Sequence, residues 1–253
     1  MRNLSRRAYL LPFVVALACG FVAPAELAAR NALQRRIQSS TKPVPRKDSG
    51  WVQRQEQLNE RVKKHPDAQL LFIGDSITHG WEGGGKEVWQ KYYDKRHAIN
   101  LGIGGDQTQH VLWRLDHGNL EGLHPKLAVV MIGTNNAGSG NSSKEIADGV
   151  KAVVDKLRAK VSDCKVLVLA IFPRDPVATG RLRKVNDAAN EIIAKFADNQ
   201  NVFYLDINQK FLGADGSLSK EIMPDFLHPN AKGYEIWATA IEPTVAKLLG
   251  ESS

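Results

Sequence analysis

Cysteine is almost absent from this chain, with only Cys19 and Cys164 among 253 residues. A disulfide-stapled scaffold is thereby excluded, because Cys19 falls in a segment read below as a removable leader and Cys164 is then left alone. Cys164 opens an apolar run over residues 165–172 and reads as a small buried hydrophobe rather than a reactive thiol. His-Glu-x-x-His and paired Cys/His spacings are missing, so neither a metal site nor a cofactor is expected. No motif interleaves basic with aromatic residues, which leaves nucleic-acid binding unsupported. There is no internal repeat, and no second stretch large enough to fold by itself. The apolar run over residues 8–23 is shorter than the ~20 residues a membrane-spanning helix needs, and Pro12 interrupts it.

What is present at the N-terminus has the layout of an export signal. Arg2, Arg6 and Arg7 precede the apolar run, and the small-residue site Ala23-Pro24-Ala25 follows it. Residues 1–25 are therefore expected to be a signal peptide, and the protein to be exported as a periplasmic, secreted or envelope-attached species. Retention as an anchor stays open, as does lipid attachment at Cys19, since Ala16-Leu17-Ala18-Cys19 loosely resembles a bacterial lipoprotein signal. The formal charge of +7 falls to +4 without the three leader arginines, and most other basic residues are interspersed with acidic ones as on a solvated surface. Residues 26–50 are polar, with Arg35, Arg36, Lys42, Arg46 and Lys47 among Ser, Thr and Pro. They predict a flexible basic linker, through which the N-terminus could attach to a membrane surface.

Residues 51–253 are expected to form one domain, and a chain that is 43% hydrophobic and 24% charged over its 253 residues supplies a sizeable core. Short apolar runs at 70–76, 98–103, 127–132, 165–172 and 202–207 read as strands. Between and around them, residues 51–64, 108–115, 143–161, 181–197 and 230–249 read as helices. Such alternation predicts right-handed crossovers and a five-stranded parallel sheet covered on both faces, a three-layer α/β/α sandwich.

In an open α/β sheet, functional groups gather beyond the carboxyl ends of the strands. The first strand ends in Gly74-Asp75-Ser76, the second in Gly102-Ile103-Gly104-Gly105-Asp106, and the third in Gly133-Thr134-Asn135-Asn136. Before the last helix comes Asp225-Phe226-Leu227-His228-Pro229. A serine hydroxyl needs a base within hydrogen-bond reach and that base needs an orienting partner, roles that Ser76, His228 and Asp225 fit. Attack on a carbonyl makes an oxyanion, for which the Ser76 and Gly105 N–H groups and the Asn135 amide are the candidate donors. His79 and His110 also lie near strand ends and are candidates to line the site.

These four stretches match, in order and context, the blocks of the SGNH (GDSL-type) hydrolase superfamily. Residues 100–106, Val111-Leu112-Trp113-Arg114-Leu115 and Gly133-Thr134-Asn135-Asn136 further resemble the catalytic subunits of intracellular platelet-activating factor acetylhydrolase. The resemblance runs from about Leu70 to Trp237. It implies a flavodoxin-like sandwich, Ser76 as nucleophile, His228 as base, Asp225 as its orienter, an oxyanion hole of Ser76, Gly105 and Asn135, and no metal. It also implies short acyl groups, acetyl above all.

The expected function is thus a serine esterase removing small acyl groups through an acyl-enzyme, with a small-molecule or glycan ester as substrate. Ile77 and Leu227, beside the nucleophile and the base, are candidates for the acyl-pocket wall, with plain core packing as the alternative. Trp81, which leads the glycine-rich Gly83-Gly84-Gly85, is a candidate to stack on a sugar at the rim. The rival readings are a lysophospholipase or longer-chain acyl hydrolase, and a non-catalytic carbohydrate-binding protein on a hydrolase fold.

Overall fold

Five parallel strands define the molecule: β1 (Leu70–Gly74), β2 (Ala98–Gly102), β3 (Leu127–Met131), β4 (Lys165–Leu169) and β5 (Val202–Leu205), in the order β2-β1-β3-β4-β5. This is a computed structural model, and it describes Ala23 and residues 39–251. The proposed signal peptide, Ala23 apart, and about half of the linker lie outside the described residues.

The helices around the sheet include α1 (Ser49–Lys64), α2 (Ser76–His79), α3 (Lys86–Tyr92), α4 (Thr108–Asp116), α5 (Thr134–Gly138), α6 (Ser143–Lys160), α7 (Arg181–Ile193) and α8 (Ala231–Leu249). Strand alternation decides which helices cover which face. Leu71 and Ile73 of β1 pack with Leu58, Val111, Val153 and Ala189 from α1, α4, α6 and α7. Leu70 and Phe72 point the other way and pack with Val88, Trp237 and Ile241 from α3 and α8. Burial of each such aliphatic side chain contributes about 1.5–3 kcal/mol before ordering costs. The expected three-layer sandwich is the observed one.

The long elements begin and end within a few residues of their expected positions because their caps are local. Asp48 accepts from Trp51 N ahead of α1, Ser142 and Glu145 form a capping box ahead of α6, and Asn230 accepts from Gly233 N ahead of α8. The short helices α2, α3 and α5 carry too few turns to show a period in the sequence.

The domain begins earlier than the expected boundary at residue 51. Ser40 is fully buried and its carbonyl accepts from Thr108 Oγ1 at 2.7 Å, while Val44 N donates to Gln109 O at 3.2 Å. The end of the expected flexible linker is a packed strap, held by backbone hydrogen bonds that its polar, proline-broken sequence does not advertise.

Candidate active site

Ser76 is placed by the way β1 ends. A β-carbon on Gly74 would lie 2.4 Å from Met131 O and 2.1 Å from Thr78 Oγ1, so only glycine lets the strand turn here against β3. Asp75 is fully buried and caps α2, its Oδ1 accepting from Ile77 N at 3.0 Å. Ser76 is the first residue of that helix, half-buried at the carboxyl edge of the sheet. β1 has β2 on one side and β3 on the other, so the strand order reverses across it, which is the switch point where α/β sheets bind ligands.

The base arrives from the opposite end of the chain. Asn230 and Pro229 start α8, and the loop before them presents His228 Nε2 at 2.9 Å from Ser76 Oγ. His228 Nδ1 lies 2.6 Å from Asp225 Oδ2. The second carboxylate oxygen of Asp225 accepts from the backbone N–H of Leu227 at 3.1 Å and of His228 at 2.8 Å. Phe226 between them takes the left-handed conformation, φ 59°, which curls the Asp225 side chain back under the imidazole. Burial works to raise the Asp225 carboxyl, but the hydrogen bonds from the His228 ring and backbone outweigh it and hold the group below the usual carboxylate range. An ionised Asp225 has no proton to give, so Nδ1 carries the imidazole proton and Nε2 accepts from the Ser76 hydroxyl.

The loops after β2 and β3 close the other side. A β-carbon on Gly104 would come within 3.9 Å of Ser76 Cβ, and Gly105 follows with φ +79°. Asn135, half-buried at the start of α5, donates from Nδ2 to Asp106 O at 2.9 Å and so is tied to the Gly105 loop. Asn136, for which the sequence offers no role, joins the same two loops: its Oδ1 accepts from Thr108 N at 3.0 Å and its Nδ2 donates to Thr108 Oγ1 at 3.2 Å. Gly133 has φ +135°, and a β-carbon there would meet Ile171 at 2.7 Å.

Beneath these loops lies a charged brace that sequence reasoning missed. Asp106 is fully buried and accepts from Trp51 Nε1 and from Arg114 Nε, both at 2.7 Å. Arg114, equally buried, also donates to Asn119 Oδ1 and to Gly74 O, the last carbonyl of β1. The signal was present: Arg114 follows Val111 by three positions, on the apolar face of α4 where a charge must find a partner. Arg174, after β4, donates to both the carbonyl and the hydroxyl of Thr134 at 3.1 Å.

Not every expected site residue is where the sequence suggested. Trp81 is 1% exposed, its ring 4.5 Å from that of Tyr234 and 4.8 Å from that of Trp237, so it is a core side chain with no face for a sugar. Gly85 after it is there for packing, since a β-carbon on it would meet Trp81 and Tyr234 at 2.7 Å. Glu82 in that stretch is also structural. Burial raises its carboxyl, but hydrogen bonds from Arg54 and Arg61 more than offset this and hold it down to about 2. Ile77 packs in the core and Leu227 is half-buried beside His228. His79 is half-buried near Gly104, its pKa lowered by burial and by Arg54. His110 accepts at Nδ1 from Gln107 N, and burial with the nearby Arg46 and Arg114 lowers it to about 4. His79 thus lies beside Gly104 and His110 beside Asp106, both with the neutral ring favoured.

A parallel α/β/α sandwich with serine, histidine and aspartate hydrogen-bonded in series at its switch point defines a serine hydrolase. Residues 72–236 match the model of the GDSL-like lipase/acylhydrolase family, and the chain belongs to that family. It is 34% identical over 216 residues to platelet-activating factor acetylhydrolase IB subunit alpha1 of Homo sapiens, covering 84% of this chain and 91% of that protein. It is 35% identical over 207 residues to the alpha2 subunit of Rattus norvegicus, covering 81% and 87%. Among solved structures, a GDSL-like lipase from Bacteroides thetaiotaomicron superposes with a TM-score of 0.58 at 20% identity, covering 75% of this chain and 97% of that one. A catalytic mutant of Axe2, an acetylxylan esterase from Geobacillus stearothermophilus, gives 0.58 at 19% identity, covering 73% and 95%. At these identities the two structures share the fold.

Proposed function

We propose that this acylhydrolase removes short acyl groups, acetyl above all, through a covalent acyl-enzyme on Ser76. His228 Nε2 takes the hydroxyl proton as Ser76 Oγ attacks the ester carbonyl. The tetrahedral oxyanion is met by the N–H groups of Ser76 and Gly105 and by the Asn135 amide. His228 then gives its proton to the departing alcohol, and in the second half it takes a proton from the water that releases the acid. Asp225 holds the imidazole in the tautomer that this sequence of transfers needs.

The observation that carries the reading is the unbroken series from Ser76 Oγ through His228 to Asp225, at 2.9 and 2.6 Å. Acyl length is argued from packing. Ile77, Thr78, Trp81 and Tyr234 are all at most 2% exposed, so the layer below α2 is filled and favours an acyl group that does not penetrate it. The names of the relatives, an acetylhydrolase and an acetylxylan esterase, point the same way. With Trp81 in the core, a glycan substrate rests on the expected export alone. Export after removal of residues 1–25 rests on the residue pattern of the N-terminus.

The test is hydrolysis of p-nitrophenyl acetate, butyrate and octanoate by residues 26–253, with Ser76→Ala alongside. Acetate turned over fastest by the wild type, and nothing by a folded variant, is the expected result. Rates rising toward octanoate would favour a lysophospholipid or other long-chain ester. A fully active Ser76→Ala would overturn the mechanism.

A further inference from the structure

The strap before α1 reaches into the site at one residue. Arg46 Nη1 donates to Gly104 O at 2.6 Å, and its Nε donates to Asp48 Oδ2 at 3.0 Å. Asp48 in turn caps α1 through Trp51 N, so the guanidinium is anchored on the start of that helix. A β-carbon on Gly105 would lie 2.8 Å from Arg46 Nη1, which places the guanidinium against the loop with no room for a side chain between. Upstream, the buried Ser40 and the Val44–Gln109 hydrogen bond hold the strap across α4.

Gly104 C=O and Gly105 N–H are the two ends of one peptide unit, and a peptide unit is planar. A charged donor on the carbonyl therefore fixes the direction of the N–H at the other end. It also draws electron density toward the oxygen, which makes that N–H a stronger donor. Gly105 needs such a constraint, because without a side chain and at φ +79° its own backbone preferences do not settle the orientation. We infer that Arg46, carried by the N-terminal strap, is a positioning residue that aims and polarises the Gly105 N–H toward the oxyanion. The inference rests on the reading of Ser76 and Gly105 given above.

The experiment compares Arg46→Ala with Lys47→Ala, an exposed neighbour that loses the same charge. Two readouts are followed: steady-state hydrolysis of p-nitrophenyl acetate, and the Gly105 amide resonance in ¹⁵N-labelled protein. Arg46→Ala is expected to lower kcat about tenfold or more, with KM within about twofold, because the bond acts on the transition state. Millimolar guanidinium chloride, with sodium chloride as the ionic-strength control, is expected to restore part of the rate. The Gly105 amide proton is expected to move upfield in Arg46→Ala and to stay in place in Lys47→Ala. An unmoved Gly105 resonance in folded Arg46→Ala overturns the inference, as does an unchanged kcat while the wild type is active. Should the wild type turn over no ester, the reading of the site fails and the amide shift alone decides the role of Arg46.

Discussion

Arg114 Nε donates to Asp106 Oδ2 at 2.7 Å, and neither side chain has any exposure to solvent. The pair joins α4 to the loop that presents Gly105, and its third bond, to Gly74 O, reaches the strand that presents Ser76. Desolvating two charges is costly, so the pair is a device for holding geometry rather than a large net source of stability. Removing one partner is a different matter. Arg114→Leu leaves Asp106 buried with Trp51 as its close donor and Arg46 and His110 more distant, and is expected to destabilise by about 3–5 kcal/mol. Urea unfolding of Arg114→Leu beside wild type measures this; a loss under about 1 kcal/mol would show that the brace is dispensable.

Asp225→Asn tests the tautomer argument. The amide oxygen can still accept from the backbone N–H groups of Leu227 and His228, so the loop keeps its shape. Its NH2 would then donate to His228 Nδ1, moving the ring proton to Nε2 and ending that atom's ability to accept from Ser76. The expected result is a fall of roughly 10²–10⁴ in kcat with an unchanged fold, read on p-nitrophenyl acetate. A rate within threefold of wild type would mean that His228 is oriented by something else.

Asp75 sets a pH dependence of stability. Burial pushes its carboxyl up to about 7, and its Oδ2 has no hydrogen-bond partner among the described residues. In the unfolded chain the group titrates near 3.8. Between these values the folded protein keeps a proton that the unfolded chain has released, so stability falls as pH rises from about 4 to 7 and the loss is complete above 7. The ceiling is on the order of 4 kcal/mol. Asp75→Asn keeps the cap to Ile77 N and removes the titration, so its stability relative to wild type should climb across that window. Urea midpoints at half-unit steps from pH 4 to 8 give the curve; a constant difference between the two proteins would contradict a neutral buried Asp75.

Trp81 separates packing from recognition. Trp81→Ala empties part of the aromatic cluster around Phe72, Tyr93, Tyr234 and Trp237 and is expected to cost about 3–5 kcal/mol. Trp81→Phe keeps most of the volume. It should retain the wild-type ratio of rates on an acetylated sugar and on p-nitrophenyl acetate. A selective loss on the sugar would return Trp81 to the substrate site.

The sheet and its long helices were legible because each rests on interactions within a few residues. Runs such as Leu70-Leu71-Phe72-Ile73 must be buried on both faces, and a parallel sheet covered by helices does that. That Ser76, Asp225 and His228 come together was legible because Ser76 follows a strand at the carboxyl edge of the sheet, and because Asp225 and His228 lie close enough in sequence to meet within one loop. Trp81 misled because a glycine-rich stretch after a strand reads as the rim of a site, whereas Gly85 makes room for Tyr234, about 150 positions away.

The sequence by itself determined the layer architecture, the strand end that presents Ser76, and the hydroxyl, imidazole and carboxylate that meet there. These follow from hydrophobic period and local turn chemistry, which act over a few residues. Only the tertiary structure decided that Arg114 joins Asp106 to Gly74, that Trp81 belongs to the core, and that the segment ahead of residue 51 is a strap bringing Arg46 to Gly104. Each of these depends on a contact between residues far apart in the chain, and a long-range contact is set by how whole elements pack, which no local pattern encodes.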